Sequence, residues 1–188
     1  MNRNIIALTF STALVLSACQ KNNPSADNDS LAVNTPTVGN AETANTAQTT
    51  GIDTAFVTDG IKGDTAEVAI GNLASSKGAT QDVRDFANML VTDHSAHKQR
   101  LIDLANSAGV AVPTEPAETG RAQLEKLEKL SGPEFDKALL ETLIGNHKKG
   151  IAKNEAQAKS GDAQTAKLAQ ETVPVLKKHL ATAESLAK

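Results

Sequence analysis

Tryptophan and tyrosine are absent from this chain, and phenylalanine occurs only four times. That removes the stacking rings on which single-stranded nucleic acid is held, and aromatic platforms for sugars with them. A basic excess is missing too. The 19 Lys and Arg against 22 Asp and Glu leave a net charge of −3, so no positive surface awaits a phosphate backbone. No nucleic-acid partner is expected. The single cysteine excludes an internal disulfide and a thiolate metal cluster. Apolar runs are too short for a transmembrane helix, and strand-like runs are nearly missing. No serine stands in a nucleophile-elbow context. Gly60-x-x-Gly63 precedes no phosphate-loop pattern and reads as helix packing. Lys148-Lys149 and Lys177-Lys178 read as solvated faces.

What is present begins with an export signal. Arg3 supplies a short basic start, Ile5 to Ala18 a mostly apolar run, and Leu16-Ser17-Ala18-Cys19 closes it. That ending resembles the bacterial lipobox, in which small residues precede a cysteine that is lipidated and becomes the mature N-terminus. A plain secretory signal is the alternative. Residues 1–18 are therefore expected to be removed and Cys19 acylated, which leaves no thiol for chemistry. Gln20 in place of an Asp implies sorting to the outer membrane, periplasmic face. Several acyl chains on one residue anchor stably where one does not. Residues 20–53 are rich in Asn, Ser, Thr, Ala and Asp, with no apolar period. They read as a disordered tether with an end-to-end distance of roughly 30 Å.

Residues 54–188 have the size of one domain and the composition of helices. Four long helical patterns run over about 54–77, 80–108, 131–160 and 163–187. A short amphipathic one over 121–130 lies in the connector between the second and third. Lys77-Gly78 and Gly109 are stop signals. Thr80 is a predicted N-cap, and Ser131-Gly132-Pro133-Glu134 a predicted capping box. Pro174 interrupts the last pattern and predicts a kink or a weakened turn. Four amphipathic helices of this length pack as an all-α four-helix bundle. The connector is long enough to cross the length of the bundle, which is compatible with ferritin-like or up-and-down order.

All four histidines fall in the long helices. Glu67, His94, His147 and His179 each lie about a dozen or so residues into their own helix, and at about 1.5 Å per residue that is near mid-height. Each also falls on the predicted inner stripe. One acid and three imidazoles thus converge in one layer, with His97 one turn from His94. Glu67 has no cation on its own face, so its partner must come from another helix: an imidazolium, or a metal shared with imidazoles. Asp93 points about 100° away from His94. It can pair with His97, four residues on, or orient a histidine of a neighbouring helix. A Glu and His set without sulfur suits one ion of zinc, iron, manganese, copper or nickel, and selects none of them.

These residues also carry a resemblance. Phe56, Glu67, Asp93-His94, Leu130-Ser131-Gly132, Phe135-Asp136, His147-Lys148-Lys149 and Pro174-Val175-Leu176 with His179-Leu180 follow, in order, the pattern of an exported bacterial family of domains of unknown function. Its members are often labelled outer membrane proteins and grouped with ferritin-like four-helix bundles. The resemblance implies a ferritin-like fold and recurring positions at Glu67, Asp93, His94, His147 and His179, His97 being outside the pattern. It supplies no activity. Di-iron ferritin-like proteins carry Glu-x-x-His on two helices. Here Val91 and Leu176 stand three residues before His94 and His179, which argues for one metal or none.

Three readings stay open: an envelope lipoprotein that binds a metal for storage, buffering or stress protection; a metal-free structural or interaction bundle with a hydrogen-bonded Glu and His layer; and a mononuclear metalloenzyme. Protein partners are not indicated.

Overall fold

The computed structural model describes residues 51–160 and 162–188. The expected signal, Cys19 and all of the tether before residue 51 lie outside the described residues. Among those described there are five helices and no strand: α1 Thr54–Lys77, α2 Gln81–Ser107, α3 Glu118–Glu128, α4 Gly132–Gln157 and α5 Ala163–Leu186.

The helix ends follow capping chemistry. Asp53 caps α1 by accepting from the Phe56 N–H at 2.9 Å, and Thr80 caps α2 by accepting from Val83 at 3.3 Å. The expected capping box at Ser131 does not form. Gly132 takes φ +59°, and the Ser131 side chain makes no cap bond. A left-handed residue at that point turns the hydroxyl away from the first turn. Ile52, placed by the sequence in the tether, is buried with Phe56 and Val57, so the folded body starts before α1.

Side-chain pairings give the direction of each helix. Gly60 lies against Leu101 and Gly71 against Val91, so α1 and α2 form an antiparallel hairpin. Lys148 against Glu184 and Lys177 against Glu155 make α4 and α5 a second one. Asp136, near the start of α4, accepts N–H groups from Ala79 at 2.9 Å and Thr80 at 3.2 Å, just before α2. Helices α2 and α4 therefore run the same way, and the order is up, down, down, up. The connector returns the chain along α1. Ala117 N–H donates to the Lys62 carbonyl, Gly120 sits on Ala66, and Lys77 Nζ reaches the Glu128 carbonyl.

The apolar interior is split along the bundle. One cluster gathers Ile70, Leu90, Phe135, Leu139 and Leu143, and the other gathers Phe56, Ile61, Leu101 and Leu168. Burial of each such side chain is worth roughly 1.5–3 kcal/mol. Between them, at mid-height, the interior turns polar. Pro174 is exposed on the outer face of α5, so the Gln170 carbonyl it leaves without a helical donor is also on the solvent side.

Candidate metal centre

The polar layer is assembled from all four long helices. His94 on α2, His147 on α4 and His179 on α5 are 6%, 2% and 0% exposed, and one ring nitrogen from each lies within 4.8 Å of the others. Their ring centroids are 5.2–5.6 Å apart.

Each ring is held from behind by an acceptor. His94 Nδ1 is 2.8 Å from Asp64 Oδ1, His147 Nδ1 is 2.8 Å from the Leu143 carbonyl, and His179 Nε2 is 2.9 Å from Asp93 Oδ2. A carbonyl or a carboxylate can only accept, so each of those nitrogens carries the proton. The opposite nitrogen of each neutral ring then presents a lone pair. His94 Nε2 is buried and has no hydrogen-bond partner in the protein. His147 Nε2 and His179 Nδ1 face each other at 3.2 Å. Two lone pairs at that distance repel unless a proton or a cation lies between them.

A proton is disfavoured at this pair. Burial drives the His147 imidazole down to about 3, helped by the charge of His94 and opposed by the Leu143 carbonyl. Burial also lowers His179, against the pull of Asp93. His94 goes the other way: burial lowers it, but the bond to Asp64 and the charges of Glu67 and Asp64 outweigh that and raise it. Asp64 is itself lowered; burial pushes it up, and the bonds from His94 and His97 more than reverse this.

Asp64 is the residue that the sequence reading missed. It lies three before Glu67 and four after Gly60, on the same stripe, and is 6% exposed. Its second oxygen takes His97 Nδ1 at 2.7 Å. His97 therefore pairs with α1 and not with Asp93, and its Nε2 is buried without a partner. Asp93 takes the other course open to it and orients His179.

Glu67, expected as the fourth ligand, is buried beside the three histidines but outside their group. Its Oε1 accepts from Asn146 Nδ2 at 2.8 Å, while Oε2 has no partner. Asn146 is locked by a reciprocal amide pair with Gln123 of α3. Burial raises the Glu67 carboxyl, opposed by His94 and the Asn146 bond. The bond to Asn146 turns the carboxyl towards α4 and α3.

The three histidines are close enough to hold a metal ion. The donor set fits a transition metal: three imidazoles, two of them backed by carboxylates, which is the usual support for histidine ligands. Nitrogens about 2.0–2.1 Å from a tetrahedral zinc are about 3.3 Å apart, near the His147 to His179 spacing.

The chain matches no curated protein and no solved structure. Residues 38–186, most of the chain, match the family described as "Domain of unknown function (DUF4142)", and the chain belongs to that family.

Proposed function

We propose that this chain is a lipid-anchored envelope protein whose bundle, ferritin-like in arrangement, binds one transition-metal ion through His94, His147 and His179 in a storage, buffering or stress-protection role. A single long crossover between the second and third long helices supports the ferritin-like reading. The lipobox at Cys19 supports outer-membrane anchoring with the bundle in the periplasm. The observation that carries the metal reading is the orientation of the rings: three acceptors hold protons on the outer nitrogens and turn the three opposite nitrogens inwards, those of His147 and His179 as lone pairs and that of His94 as one an ion can take in place of a proton. Zinc, iron, copper and nickel all suit imidazole, and manganese suits it less.

The competing reading is a metal-free polar layer. Every inner histidine does have one hydrogen-bonded nitrogen. That layer leaves His94 Nε2 buried and unpaired, at about 1–3 kcal/mol, where an ion on the triad would take its lone pair.

The test is elemental analysis and equilibrium metal titration of protein purified without a histidine tag. Wild type should hold one ion per chain. His147→Ala should lose tight binding and keep its helical circular dichroism. Stoichiometric binding by that variant would place the site elsewhere.

A further inference from the structure

A cavity of about 230 Å³ between α1, α3 and α4 reaches His94 and His147, two of the three triad residues. At its mouth stand the exposed Asp59, Thr119, Lys149 and Lys153, with Asp59 paired to Lys153 at 2.9 Å, so the acids that could draw a cation are the inner ones. At its inner end are Asp64, Glu67, His94, His97 and His147. Resting on the metal reading above, we propose that this cavity is the loading port of the centre, and that Glu67 and His97 form a transit station for an incoming hydrated divalent cation.

Three observations converge on this. The unpaired atoms at the inner end, Glu67 Oε2 and His97 Nε2, sit outside the triad without a partner, and an approaching cation favours the ionised, accepting form of the carboxyl. The His97 Nδ1 proton is already committed to Asp64, so Nε2 is its lone-pair nitrogen. Acceptors in a buried chamber are satisfied by a hydrated cation, whose water ligands donate, and not by an anion. Glu67 is 8% exposed and held by Asn146, so its free oxygen is fixed in place. Gly63 lines the cavity, and a Cβ there would meet nothing within 4 Å. The Gly60-x-x-Gly63 pair thus divides its work. Gly60 gives Leu101 room, which a Cβ would approach to 2.7 Å, and Gly63 keeps the passage open.

The experiment is stopped-flow loading of cobalt(II) into metal-stripped, tagless protein, followed by its visible absorption, with release measured against excess chelator. Glu67→Gln, His97→Gln and the plugging variant Gly63→Leu are compared with wild type, with Gly63→Val as a smaller plug if Gly63→Leu misfolds. Loading and release should both slow by about tenfold or more when the inner acceptors are neutralised or the passage is blocked, the low end of what a charged lining adds to an on-rate. Final stoichiometry should stay at one ion, with equilibrium affinity nearly unchanged. Wild-type rates in the three variants, with full stoichiometry, overturn the port. So does an affinity loss at an unchanged loading rate, which makes Glu67 a resident ligand. Failure of the metal reading itself shows earlier and separately, as absence of cobalt uptake by wild type at equilibrium, and it takes the port with it.

Discussion

Asp93 Oδ2 accepts the Nε2–H of His179 at 2.9 Å across the α2 and α5 interface. The acid is 35% exposed and the imidazole 1%, so a half-wet side chain dictates which nitrogen of a dry one is free. Asp93→Asn should weaken metal binding by about 10- to 100-fold without loss of helix, the usual cost of removing a ligand's carboxylate support. Competition titration against a chelator of known affinity checks it. Unchanged affinity would mean that packing alone orients His179.

Asp64 has the opposite setting, buried with two imidazoles on one carboxylate. Asp64→Asn removes the charge and places an amide N–H against one ring N–H. The metal-stripped variant should lose about 3 kcal/mol or more in urea unfolding, the range for breaking a buried pair. A loss below about 1 kcal/mol would show that the two rings are held by other contacts.

The pH response of the metal-stripped protein follows from His147. Its folded value is depressed from 6.5 to about 3, so its contribution is complete above 6.5 and is lost as pH falls towards 3. In that window the unfolded chain takes up a proton that the folded chain refuses. Stability should fall by roughly 3–5 kcal/mol from this group alone. Urea midpoints measured across the window should decline, and the decline should be shallower in His147→Leu. Equal slopes in the two proteins would remove His147 as the source.

Gly120 tests the connector. A Cβ there would lie 2.3 Å from the Ala66 Cβ, so Gly120→Ala must lift α3 off α1. Overpacking of this kind costs about 1–3 kcal/mol. Thermal melting should drop and proteolysis within 109–130 should quicken. Gln123 rides on α3, so its amide pair with Asn146 should loosen as well.

Much of this molecule is legible in its residues. Helix positions and the common level of Glu67 and the three histidines depend on local quantities, the period and rise of an α-helix. Asp64 was not legible, although it shares a stripe with Gly60 and Glu67. An acid on a helix is solvated by default, and only the arrival of two imidazoles from α2 makes its burial tolerable. The partner of His97 was hidden for the same reason: Asp93, on the same helix, satisfied the spacing rule equally well. The relative direction of α2 and α4 depends on where the connector docks, and a stretch with Pro113 and Pro116 can lead either way. Gly63 reads the same as Gly60 in sequence; only the neighbours of each show that one packs and the other borders space.

The crossover has a mechanical consequence. His94 belongs to the α1 and α2 hairpin, and His147 and His179 to the α4 and α5 hairpin. Each hairpin is closed by its own short turn, and a single strand of backbone joins the two halves. An ion shared by the three imidazoles would therefore be a rivet between halves, and its removal would leave the body easier to part at its seam.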